Sequence, residues 1–390
     1  MRRILFIGHS GHRSGAPLLL LQFLTWLRAR QDLQFDVNLV RGGALLDEYA
    51  AVADTRVLRK PESGSFASRV VRRLKGDRRV EMEEDRILTA RARAYDLAYV
   101  NTIVPVREML AVHASGIPII CHAHEMASAA DQWLDRRGLA PIVPIVSQFI
   151  AASRGVRDFL VERNAVPASK VTIVHEFTTA DREVADQSAN RLKWRKTLGL
   201  EPDEVLVGTC GTLDWRKGAD LFVQIARRVA VRSPATRFRF LWVGADRSSL
   251  DYRRFTHELR VCGLESTMIV LESVPNAREI FPAMDVFALT SREDPFPLVM
   301  LEAALAGLPM VCFDSSGGGP EFAGDDAGVI VPYLDVDAFA DALLRLSNDK
   351  DAGRALGAAA RQKVLHNYTI ESQAPKLCAV IDRVVASPKP

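Results

Sequence analysis

The sequence predicts an α/β protein built from two parallel-sheet domains, and three observations carry that expectation. The chain has 390 residues, too many for one ordinary core and enough for two domains that each bury most of their apolar surface. Short β-branched or apolar runs alternate with longer amphipathic stretches from end to end, the pattern of strands and helices in sheets covered on both faces. The alternation breaks once, at a polar stretch, and then starts again. Composition agrees, since 48% of the residues are apolar and 25% charged, the balance of a globular protein rather than a disordered or fibrous one.

In the first half, strands are expected at Arg3–Ile7, Phe35–Val40, Asp96–Val100, Pro118–Cys121 and Gln148–Ala151, each followed by a helix or loop. The stretch Thr178–Asn190 is rich in Asp, Ala, Thr and Ser, has no apolar period, and is the expected linker. Strands resume at Glu204–Thr209, Arg237–Val243, Met268–Leu271, Val286–Leu289, Pro309–Phe313 and Gly328–Val331. The segment Ile370–Val385 is apolar at helical spacing and follows the second sheet, so it is expected to cross back and brace the first domain. The expected domains are residues 1–180, with a C-terminal helix at about 370–390 packed on them, and residues 191–369.

A net charge of +3 is too small to argue for a nucleic-acid partner. The five cysteines are scattered and lack any CxxC spacing, which points away from a disulfide framework or zinc site and towards a reducing, cytoplasmic setting. At the N-terminus, Gly8, His9 and Ser10 end the apolar run of MRRILFIGHS well short of a signal or membrane segment, so it reads as a first strand.

The segment SREDPFPLVMLEAALAG, from Ser291 to Gly307, is the most informative. It follows a buried strand, at the carboxyl end where open α/β sheets place their ligand crevices. Pro295 or Pro297 suits the first position of a helix, which leaves the backbone N–H groups of Leu298 and Val299 unpaired as an anion site. Asp294 and Glu302 lie eight positions apart, or ~12 Å along a helix, too far to share a proton and well placed to accept from two sets of hydroxyls. A solvated loop acid and a helix-surface acid are the bland alternative. A second segment, GTCGTLDWRKGADLFVQIARRV, ends a strand in a glycine turn and starts a helix near Lys217. Arg216 and Lys217 stand together at that helix start, where cations are disfavoured unless something anionic is near.

Three further motifs are weaker. GHSGHRSGAPLLLLQFL puts Gly8, Gly11 and Gly15 between the first strand and first helix without the GxGxxG spacing of a dinucleotide fingerprint. PIICHAHE leads a strand into His122, His124 and Glu125; a Cys-His-x-His metal site competes with this reading, but no further ligand at metal spacing supports it. Pro309–Glu321 is a strand followed by Gly317, Gly318 and Gly319, whose backbone suits contact with a sugar or diphosphate as well as it suits a plain turn. Finally, Arg69, Arg72, Arg73, Lys75, Arg78 and Arg79 form a basic run beside EMEED, either a solvated face or a weak dock for anionic lipid.

An acid, seven intervening residues and a Glu, running into LEAALAGLP, resemble the motif of the retaining family-4 glycosyltransferases, which have the GT-B fold. The strand, glycine turn and Lys-Gly helix resemble a second family motif, and the His-acid pair a third. The resemblance implies two Rossmann-like βαβ domains facing across a cleft. It implies a catalytic set of His124, Asp294 and Lys217. Asp294 or its neighbour Glu293 would hold the donor sugar, and Glu302 the ribose. Leu298 and Val299, after Pro297, would hold phosphate through their backbones. Lys217 would pair with the diphosphate, with Arg216 taking the role of an Arg that the family often has where this chain has Thr212; Gly15 would lie in the donor-facing loop. The implied activity is transfer of a sugar from a UDP- or GDP-sugar to a glycan or polyprenyl-linked acceptor in cell-surface polysaccharide synthesis, with no metal or cofactor. A sugar-nucleotide epimerase or a non-catalytic GT-B subunit would use the same fold.

Overall fold

The computed structural model describes residues 2–30, 33–59, 77–179, 187–274 and 276–387. They form two compact units: residues Met1–Glu176 with Ile370–Pro390, and residues Phe177–Thr369. Most of the basic run at 69–79 lies outside the described residues; Arg79 is exposed on the helix Asp77–Ala92.

Unit 1 is a seven-stranded sheet in the order β3-β2-β1-β4-β5-β6-β7. Its strands are β1 (Arg2–Ser10), β2 (Leu33–Arg41), β3 (Thr55–Arg59), β4 (Leu97–Asn101), β5 (Ile119–Ala123), β6 (Gln148–Ala151) and β7 (Val171–Ile173). Each adjacent pair is parallel. β4 and β5 are buried at every position, as strands covered on both faces must be. The helix Gly15–Arg30 packs Leu20, Phe23, Leu24 and Leu27 inward, and Phe23 meets Phe6 of β1 edge-on at 6.1 Å. The last helix, Ile370–Ala386, buries Leu377, Val380, Ile381 and Val384 at helical spacing and packs on the helix Gly15–Arg30 and on β4.

Unit 2 is a six-stranded parallel sheet in the order β10-β9-β8-β11-β12-β13. The strands are β8 (Val205–Cys210), β9 (Phe238–Ala245), β10 (Met268–Glu272), β11 (Val286–Leu289), β12 (Met310–Phe313) and β13 (Val329–Val331). The helix Ala219–Arg232 turns Leu221, Phe222, Ile225, Ala226 and Val229 onto the sheet, where Phe222 meets Trp242 of β9 at 5.5 Å. In both units the strand order reverses beside the first strand, between β1 and β4 and between β8 and β11, and this is where a doubly wound sheet opens a crevice at its carboxyl end.

Three expectations need correction. β3 and β7 went unseen because both are edge strands, half-buried and short, and TRVLR carries more polar than apolar residues. Gly8 lies inside β1, where a Cβ would come within 2.9 Å of Leu39, so it serves strand packing rather than a loop. Unit 2 begins at Phe177, not at 191: Thr178 bridges Thr369 in parallel, and Gln187–Thr197 is a helix that starts inside the expected linker.

Candidate active site

In unit 2 the loops after β8 and β11 are stitched together at the switch point. β8 ends at Cys210, and the chain passes through Gly211 to Gly218, which caps the helix Ala219–Arg232 at φ 71°. A Cβ on Gly218 would sit 2.0 Å from the Thr290 carbonyl oxygen, so both conformation and space require glycine there. Thr290 Oγ1 donates to the Lys217 carbonyl at 3.0 Å, and Arg292 N–H donates to the Arg216 carbonyl at 2.8 Å. Arg292 also forms a two-pronged pair with Asp220, both contacts at 2.7 Å.

This stitching brings Lys217 Nζ onto Asp294 Oδ2. The Asp294 side chain is 7% exposed and also receives Ser291 Oγ at 3.2 Å and Arg216 Nη1 at 3.6 Å. Of the two neighbouring acids it is Asp294 whose carboxylate meets Lys217; Glu293 is half-buried, and its carbonyl accepts from Arg216 Nη1 at 3.2 Å. The glycine segment joins the same cluster. Asp294 pairs with Gly317 in an isolated bridge, its carbonyl accepts the Gly318 N–H at 2.9 Å, and a Cβ on Gly318 would collide with Phe296 and the Pro295 carbonyl at 2.5 Å.

Pro297 caps the helix Leu298–Leu305 without a side-chain hydrogen bond. The first turn closes where Met300 N–H donates to the Pro297 carbonyl at 3.1 Å, so the N–H groups of Leu298 and Val299 lie ahead of the helical bonding, at the positive end of the helix dipole. One turn on, Glu302 accepts on Oε1 from Arg278 Nε at 3.0 Å. Burial pushes the Glu302 carboxyl up, and Arg278 opposes that shift. Cys210, at the end of β8, feels Glu302 as well; burial first and that charge second push its thiol up to about 12.

In unit 1, His124 follows β5 with both ring nitrogens engaged, Nδ1 with Glu176 at 3.0 Å and Nε2 with Asn101 Oδ1 at 2.9 Å. Asn101 ends β4 and is fixed by donating to the Ala16 carbonyl at 3.0 Å. Glu125 accepts from the backbone N–H groups of Ile103 and His124, a structural role. His122 bonds Tyr99 through Nδ1 at 2.6 Å and its ring lies 4.0 Å from that of His124, tilted by 41°; its Nε2 and His9 Nδ1 have no partner among the described residues. Burial holds His122 well below the usual histidine range and pulls His9 down to about 4, with His124 adding to both shifts. Gly15 is the exposed first residue of its helix. Among the described residues, no cluster of His, Cys, Asp and Glu is arranged to hold a metal ion, and no helix is long and apolar enough to cross a membrane.

The comparisons with known proteins divide along the same two halves. Residues 204–349 match the family model described as Glycosyl transferases group 1, and residues 19–182 match Glycosyltransferase Family 4. The chain belongs to these glycosyltransferase families. Among curated relatives, a D-inositol 3-phosphate glycosyltransferase of Mycobacteroides abscessus is 28% identical over 61% of this chain and 55% of its own length. The lipopolysaccharide core biosynthesis mannosyltransferase LpsB of Rhizobium meliloti is 27% identical over 49% of this chain and 55% of its own. The chain thus spans little more than half the length of these relatives. Among solved structures, Anabaena HepE in complex with UDP-glucose superposes with a TM-score of 0.80 at 18% identity, covering 98% of this chain and 100% of that one. A glycosyltransferase from Rickettsia africae superposes with a TM-score of 0.79 at 13% identity, covering 99% and 100%. At such identities the superpositions establish a shared GT-B fold.

Three residues that the structure brings to these side chains lay outside the sequence reading: Arg278 in unit 2, and Asn101 and Glu176 in unit 1. Each acts through a partner distant in sequence, as Arg278 does through Glu302, and none stands in a motif of its own.

Proposed function

We propose that this protein transfers a sugar from a nucleotide sugar to a hydroxyl of a glycan or lipid-linked acceptor, with the anomeric configuration retained. The Lys217–Asp294 contact carries the reading. It sets a cation and an acid together at the carboxyl end of the sheet, beside a helix start with two available N–H groups. A donor diphosphate offers Lys217 a stronger anionic partner than Asp294, and the exchange frees Asp294 to accept from the sugar hydroxyls. Lys217, Arg216 and the N–H groups of Leu298 and Val299 then neutralise the leaving diphosphate, so that no metal is required. Glu302 would accept from the ribose, and His124, in unit 1, would serve the sugar side once one of its two partners yields.

A UDP-sugar is the first donor to test, with a GDP-sugar second, because HepE was solved with UDP-glucose. The LpsB relative supports an acceptor in cell-surface polysaccharide synthesis. The basic run at 69–79 would add weak contact with an anionic surface carrying such an acceptor. Liposome co-sedimentation at low and high salt tests that part, and failure to pellet with anionic vesicles at low salt removes it. The central test is acceptor-dependent release of UDP from UDP-sugars in the wild type and in Lys217→Ala. Turnover of the donor to an epimeric sugar nucleotide with no acceptor present would instead make the protein an epimerase. Binding without any turnover would make it a silent subunit.

A further inference from the structure

We propose that Arg278 is a positioning residue of the nucleotide site, holding Glu302 by one carboxylate oxygen so that the other is presented to the ribose of the donor. The proposal rests on the ribose reading of Glu302 and adds a residue that none of the family motifs contains.

The geometry is specific. An arginine facing a free carboxylate tends to take both oxygens with two parallel N–H groups. Arg278 instead gives Glu302 only its Nε, at 3.0 Å to Oε1. Its remaining nitrogens are committed elsewhere: Nη2 donates to Thr178 Oγ1 at 2.7 Å, and Nη1 reaches the Thr179 hydroxyl and carbonyl at 3.3 and 3.4 Å. The planar fork is therefore held from both sides and cannot turn to take the second oxygen. Thr178 is itself fixed, since its N–H donates to the Tyr368 carbonyl at 3.0 Å and it bridges Thr369. Oε2 of Glu302 has no partner among the described residues, although the side chain is only 20% exposed.

Charge gives the arrangement a second effect. Glu302 lies in the apolar helix LVMLEAAL, and burial works against its ionised form. The titratable groups acting on it are Arg278, on the turn Ala277–Glu279, and Cys210, whose raised thiol stays neutral. Arg278 is thus the cation that opposes burial and favours the ionised carboxylate, the form that accepts from two vicinal hydroxyls.

The test measures calorimetric binding of UDP and of inorganic pyrophosphate, which has no ribose, at pH 6 and pH 8, to wild type, Glu302→Gln, Arg278→Lys and Arg278→Met. Arg278→Met should bind UDP about tenfold more weakly at pH 6, with part of the loss recovered at pH 8 as Glu302 ionises without help. Arg278→Lys, which keeps the charge and loses the fork, should fall between and show no pH dependence. Pyrophosphate should bind all four proteins alike. If Glu302→Gln loses UDP but Arg278→Met binds it like wild type at both pH values, the positioning role is wrong and the ribose assignment stands. If Glu302→Gln keeps full UDP affinity, the ribose assignment itself fails. Equal loss of UDP and pyrophosphate in both Arg278 variants also overturns the proposal, because it marks general damage to unit 2.

Discussion

Lys217 and Asp294 hold one another where a diphosphate and a sugar are proposed to bind, and that pairing gives Lys217→Ala two separable effects. Binding assays should show loss of most UDP-induced thermal stabilisation, since a charged phosphate contact is removed. The protein alone should also melt lower, by about 1–3 kcal/mol, because Asp294 is left buried with Arg216 at 3.6 Å and the Ser291 hydroxyl as its remaining partners. The double variant Lys217→Ala with Asp294→Asn should recover the second effect and not the first; recovery of neither would place the damage in the fold. These residues were legible because their chemistry is local in sequence: a Lys-Gly after a glycine turn, an acid before a proline. Arg278 was not, because its meaning lies in Glu302, Thr178 and Thr179, which only folding assembles.

Among the elements, the loop after β8 is set by one residue. Gly218 is the left-handed cap of the helix Ala219–Arg232 and sits against the Thr290 carbonyl. Gly218→Ala should destabilise unit 2 by about 1–3 kcal/mol or more, measured by denaturant unfolding, and should weaken UDP as Lys217 shifts. An unchanged midpoint with unchanged affinity would mean that the two loops adjust independently. The sheets show the limit of reading elements from pattern. Central strands such as β4, β5 and β11 are mostly apolar runs and were plain, whereas β3 and β7 form at the sheet edges because a neighbour offers them hydrogen bonds, which their own residues barely announce. The expected linker failed for a related reason: Gln187–Thr197 is a polar helix with no fully buried residue, so no apolar stripe marked it.

For the whole molecule, the two units should answer acid differently. His9 and His122 are buried and their proton affinity is depressed, so below pH 6.5 the unfolded chain takes protons that folded unit 1 refuses, and its stability falls as the pH drops towards 4. Glu125, pushed up by burial, works the other way, one group against two. In unit 2, Glu302 and Glu258 are raised and favour the fold on acidification, while Asp220, Asp246, Glu279 and Asp326 are lowered and act against it only as the pH falls through the carboxylate range. Calorimetry from pH 7 to pH 4.5 should show the unit 1 transition moving down relative to that of unit 2, and His9→Asn should reduce the gap; transitions that shift together would refute the assignment. The paired crossing of the chain, with Thr178 beside Thr369, has a consequence for synthesis. Unit 2 is one unbroken stretch, Phe177–Thr369, whereas unit 1 needs Ile370–Ala386 against the helix Gly15–Arg30 to close its core. On the ribosome the second unit can therefore finish first, while the first to be made waits, with the part of the helix Gly15–Arg30 that meets Ile370–Ala386 uncovered, until that later helix is made. Nascent chains stalled after Thr369 should be cut by protease in their N-terminal half and resist it in the half made later.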